Sequence, residues 1–193
     1  MTVQRFLPLV ATGLILTGFA GVEMYSSPVA LSNQAKSQWR AFTSPDGSFR
    51  VLMPGNPKKL SETQNTFMGK INLRIFLATP PKQQVSYVVA YNDFPNSYGK
   101  LANPQEVLAN ATKAALKTTQ SSLVSQTNIR SSNGHPGKEI EYINSAGKVT
   151  RNRMFFANGR LYQAMVITTR KQEKYLTKSI RGYLNSFQVV YKK

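Results

Sequence analysis

The sequence predicts an α+β fold, an antiparallel β-sheet with helices packed on it, and three observations carry that prediction. Short apolar runs alternate between turn signals, as hairpin strands do. Only two stretches, 103–122 and 171–186, switch to helical spacing. These helices follow blocks of strands instead of alternating with single strands, which argues against a doubly wound parallel sheet.

Residues 1–32 precede the domain. Arg5 is followed by Phe6 to Val22 without a charge, and small residues come next at Ser26, Ser27, Ala30 and Ser32. This is the pattern of a secretory signal peptide, with export as its consequence. About 17 uncharged residues also sit at the lower edge of what spans a bilayer, so a retained N-terminal membrane anchor is the alternative. Residues 33–38 read as a linker and 39–193 as a single domain, large enough to bury a real core. The chain has no cysteine, so packing alone must hold that core.

Within the domain, Trp39 to Phe42 is a short apolar segment, and Ser44-Pro45-Asp46-Gly47 puts Pro and Gly at turn positions. Phe49 to Met53 alternates as a strand and Pro54-Gly55-Asn56-Pro57 ends it. Ser61 to Phe67 and Lys70 to Ala78 form an expected hairpin around Met68-Gly69, closed by Pro80-Pro81. Ser86 to Phe94 is apolar on both faces and is therefore expected inside the sheet. Asn103-Pro104-Gln105-Glu106 then supplies an N-cap, a proline at the first helical position and a glutamate at the third. Val107, Leu108, Ala111, Ala114 and Ala115 continue that helix at the right spacing to about Ser122.

Four strands follow, Val124 to Ser132, Lys138 to Ile143, Lys148 to Phe156 and Arg160 to Thr169, separated by Asn133-Gly134, Ala146-Gly147 and Asn158-Gly159. A second helix from Lys171 to Ser186 puts Leu176, Ile180, Tyr183, Leu184 and Phe187 on one face, and Gln188 to Tyr191 is a last edge strand.

The inventory of reactive side chains is sparse. There is one histidine, His135, and eight carboxylates stand against 25 Lys and Arg, for a net charge of +17. Glu139 and Glu141 share a strand face near His135, but one histidine and scattered acids do not make a metal-ligand set. His135 sits in Asn133-Gly134-His135-Pro136-Gly137, where turn chemistry accounts for its neighbours. No Gly-x-Ser-x-Gly elbow, Walker loop or Gly-x-Gly-x-x-Gly loop occurs, and His135 would be the one histidine base available to a nucleophile. The composition argues for binding over catalysis, with no cofactor and no metal.

The basic residues are more informative. Lys171, Lys174, Lys178 and Arg181 recur at spacings of three, four and three, opposite the apolar face of the second helix. Arg151 and Arg153 share one face of a strand, and Arg160 follows across the Asn158-Gly159 turn. Together these seven form the candidate partner-binding face. The bland alternative is that the helical stripe is an ordinary solvated face. Such charge attracts acidic membrane-protein surfaces or anionic lipid headgroups. Export, and aromatics at core spacing in place of a stacking platform, weigh against nucleic acid.

Three stretches carry a family resemblance: Trp39 with Asp46-Gly47-Ser48-Phe49-Arg50-Val51 leading to Met53-Pro54-Gly55-Asn56-Pro57, Gly159-Arg160-Leu161-Tyr162-Gln163, and the terminal helix ending Leu184-Asn185-Ser186-Phe187. Together they resemble the PsbP-like proteins of cyanobacteria and plant thylakoids. The resemblance implies a sheet between helices, no enzymatic activity, and an accessory role at the lumenal side of photosystem II or another membrane complex, in the thylakoid lumen or periplasm. The chain departs from the pattern in lacking a lipobox cysteine and any His pair or His-carboxylate cluster. The alternative function is a small-molecule-binding or catalytic domain with a pocket between sheet and helix near Tyr87, Tyr91 and Tyr162.

Overall fold

A computed structural model describes residues 39–66, 69–95, 99 and 102–190. The export segment and linker expected over 1–38 lie outside them, as do Phe67 and Met68 of the expected hairpin and Tyr191 of the last strand. The described elements are, in order, β1 (Trp39–Thr43), β2 (Phe49–Pro54), β3 (Lys58–Thr66), β4 (Gly69–Ala78), β5 (Val85–Asp93), α1 (Pro104–Thr118), β6 (Ser121–Arg130), β7 (Pro136–Asn144), β8 (Lys148–Ala157), β9 (Arg160–Thr169), α2 (Arg170–Ser186) and β10 (Gln188–Val189).

Hairpin chemistry builds the main sheet. Seven antiparallel strands run in the order β3-β4-β5-β9-β8-β7-β6, so the chain after α1 returns to lay β9 beside β5. β1, β2 and β10 form a separate three-stranded sheet. β5 lies inside the main sheet, as its two apolar faces predicted.

Alternation along β8 shows how the layers assemble. Phe155 and Ala157 belong to one apolar cluster with Ile180, Tyr183, Leu184 and Phe187 around α2, while Met154 and Phe156 join Val107, Leu108, Ala111 and Ala115 of α1 in another. Successive strand side chains point to opposite faces, so the two helices cover opposite faces of the sheet. The small sheet adds Phe49, Val51, Met53 and Val189 to the α2 layer. This is the α+β sandwich that the strand and helix pattern predicted.

The departures from the expectation are local. α1 ends at Thr118, not near Ser122, because Gln120 takes φ 49° and β6 begins at Ser121. Gly137 belongs to β7, beyond the turn, and its missing side chain matters: a Cβ there would meet Phe155 Cδ1 at 2.5 Å. The glycine is the seat over which the Phe155 ring reaches Phe187, with which it stacks at 5.8 Å.

Candidate functional site

α2 is built so that its two sides do different work. The Thr169 side chain accepts the Gln172 N–H at 3.3 Å as N-cap, and Glu173 lies in the first turn, where the helix dipole favours an acid. Ile180, Tyr183 and Leu184 are buried against the sheet, and the Tyr183 hydroxyl donates to the Val88 carbonyl at 2.7 Å. On the opposite side Lys171, Lys174, Lys178 and Arg181 are all exposed. None of the four is ion-paired to a described carboxylate, so the structure brings them together as an open stripe.

Three of the expected face residues stand apart from that stripe, because acids inside the protein hold them. Arg151 bonds Glu173 Oε1 at 2.9 Å and Glu141 Oε2 at 3.1 Å, while Arg170 bonds Glu141 at 2.8 Å and Glu173 at 3.1 Å. Arg153 pairs with Glu139 and donates to Asn185 Oδ1 at 2.8 Å. Glu139 and Glu141 therefore each face an arginine. Glu173, the single acid of α2, is turned inward with its side chain only 12% exposed, which leaves no acid beside the lysines.

Arg160 is held most tightly. It bonds Asp93 through Nε at 2.5 Å and Nη2 at 2.9 Å, and Asp46 at 2.5 Å and Ser48 Oγ at 2.9 Å through Nη1. Its guanidinium also lies 4.3 Å from the centre of the Tyr91 ring, whose hydroxyl donates to Asp46 at 3.2 Å and accepts from Arg74 at 3.3 Å. Burial alone would raise the Asp46 carboxyl. Hydrogen bonds from Ser44, Arg160 and Ser48 outweigh it and hold that group well below the usual carboxylate range. Arg160 is thus a clasp joining the β1–β2 turn, the end of β5 and the start of β9.

The space between sheet and helix around Tyr87 and Tyr91 is filled, and Tyr162 reaches a hollow with its outer edge. Tyr87 packs edge-on to Trp39 and Tyr183, both at 5.1 Å, and Phe49 contacts Tyr91 and Tyr162 at 6.0 and 6.4 Å. Two hollows instead flank the β8–β9 turn and share Asp93, Ala157 and Asn158. One of about 370 Å³ includes Arg160 and Tyr162, and one of about 600 Å³ includes Phe94 and His135. His135 closes its own turn, its N–H donating to Ser131 Oγ at 3.0 Å. Burial lowers its pKa.

Sequence reasoning missed Tyr175. Counted with the aromatics at core spacing, it is instead 78% exposed, three residues from Lys178 and four from Lys171. Its angle around the helix gives it away: Leu176, Ile180, Tyr183, Leu184 and Phe187 lie on one face, and Tyr175 falls some 100° from Leu176.

Among solved structures, the chain is similar to cyanobacterial PsbP (CyanoP) from Synechocystis, with a TM-score of 0.56 and 11% identity over 84% of this chain and 98% of that one. It is also similar to a protein of unknown function from Pseudomonas aeruginosa, with a TM-score of 0.46 and 13% identity over 80% of this chain and 98% of that one. No family model and no curated protein matches the sequence. The first likeness shows a PsbP-like fold, in agreement with the motifs around Asp46, Gly159 and Leu184.

Proposed function

We propose that this PsbP-like domain is a non-catalytic, exported binding protein that docks through the cationic side of α2 on an acidic surface at a membrane. One observation carries the reading: four exposed cations lie on one helix side whose single acid is turned inward and neutralised. The surrounding arginines supply that neutralisation, so the charge of the stripe stands uncompensated. A lumenal or periplasmic membrane complex such as photosystem II is the partner that the family resemblance suggests. Among the described residues no helix is long and apolar enough to cross a membrane, and α2 would meet its partner from outside the bilayer core.

The test is capture of membrane complexes from the source cell at low salt, with the full chain as bait beside a Lys171→Gln, Lys174→Gln, Lys178→Gln, Arg181→Gln chain. Exposed charges are screened over about 8 Å at physiological ionic strength, so capture should fall steeply as salt rises. Capture should also be lost in the substituted chain. Equal recovery by both baits would refute the reading.

A further inference from the structure

We infer that the surface met by α2 is an anionic lipid headgroup layer, with Tyr175 as an interfacial anchor. The proposal rests on the docking reading above and names its partner. Three observations separate a lipid layer from an acidic protein.

The first is the kind of cation. Recognition of a protein carboxylate favours the planar, two-pronged guanidinium, and protein interfaces enrich arginine while depleting lysine. Here Arg151, Arg153, Arg160 and Arg170 are engaged with internal acids, and three of the four cations left on α2 are lysines. A compact ammonium on a flexible stem suits a diffuse anionic layer whose groups have no fixed geometry.

The second is Tyr175 itself. An aromatic that is 78% exposed, with Lys171 and Lys178 within one turn, packs little against the described residues. A ring with an apolar body and a polar tip settles at the headgroup level of a bilayer, while flanking lysines lie along the same layer. The third is the shape of the surface. From Lys171 to Arg181 the stripe runs about 15 Å along the helix axis. Gly182, seven residues beyond Tyr175 and on the same side, is exposed, and a Cβ added there would meet nothing within 4 Å. Nothing overhangs Gly182, so that end of the stripe is open to an approaching layer.

Each cation held at an anionic membrane surface strengthens binding roughly fivefold. The full chain should therefore bind vesicles of phosphatidylglycerol and phosphatidylcholine far better than vesicles of phosphatidylcholine alone. The neutral vesicles report any contribution of the uncharged Phe6 to Val22 segment. The chain with all four cations changed to Gln should lose that preference, roughly 600-fold in affinity when all four engage, and Tyr175→Ala should lose roughly fivefold.

A Tyr175→Trp chain reads the contact directly, with the unsubstituted chain and its one tryptophan, Trp39, as background. The added indole emission should shift to the blue on anionic vesicles and be quenched by brominated acyl chains. Three results would overturn the proposal. In one, anionic binding occurs but the emission of the Tyr175→Trp chain does not move and Tyr175→Ala binds as well as the unsubstituted chain. In another, the chain shows no preference for anionic vesicles while salt-sensitive capture of a membrane complex persists, which removes the lipid partner and leaves the docking reading standing. Loss of both vesicle preference and capture removes the two together.

Discussion

Tyr87 and Tyr183 lie edge-to-face with centres 5.1 Å apart, yet their hydroxyls have opposite value. The Tyr183 hydroxyl donates to the Val88 carbonyl, whereas the Tyr87 hydroxyl is buried without a partner and burial pushes its pKa up to about 12. Tyr183→Phe should cost about 1 kcal/mol of unfolding free energy, and Tyr87→Phe should cost nothing or gain up to about 1 kcal/mol, measured by urea denaturation. Equal losses in both would refute this account of the pair. Asp46 makes a second prediction through pH. Its folded pKa lies below the unfolded value of about 4. The stabilisation it contributes is thus complete above that value and is lost as pH falls toward the folded pKa. Between pH 5 and pH 2 the native chain should lose stability more steeply than Asp46→Asn, which begins less stable at neutral pH. Parallel slopes would rule out Asp46 as the source.

At the scale of elements, the stripe on α2 carries a cost to the helix that bears it. Lys171–Lys174, Lys174–Lys178 and Lys178–Arg181 are like-charged neighbours, each destabilising by roughly 0.2–0.5 kcal/mol at low salt. Replacing all four with Gln should raise the unfolding free energy by roughly 1 kcal/mol. The gain should shrink on adding salt, and a loss of stability would mean that the lysines pack against the fold. The same scale decides what was legible in advance. α2 was readable because its apolar face and its cations are each periodic, and α1 began where Asn103-Pro104 said it would. The end of α1 was not readable, since Lys117-Thr118-Thr119-Gln120 contains neither Gly nor Pro and Gln120 takes a left-handed φ that usually selects glycine. β3 begins at Lys58, three residues before its expected start, because a charged edge strand offers little apolar alternation to detect. Arg160 looked like one more surface cation. Its partners Asp46 and Asp93 lie 114 and 67 residues away in sequence, a separation no local pattern encodes.

Across the whole molecule the charge has two separate uses. The net +17 arises because carboxylates are few, and Asp46, Asp93, Glu139, Glu141 and Glu173 are all spent on arginines within the fold. No lysine takes part in those pairs. The internal ion pairs thus use guanidinium, and on α2 three of the four outward cations are ammonium groups. An amine-selective acylating reagent distinguishes the two, since it reacts with lysine and leaves arginine untouched. Graded acetylation should strip the exposed charge step by step while the far-ultraviolet circular dichroism and the Arg160 clasp persist. Membrane binding should decline with the number of acetyl groups added, well before the thermal midpoint moves. Docking strength could then be adjusted on the folded protein after synthesis, without a single codon being altered.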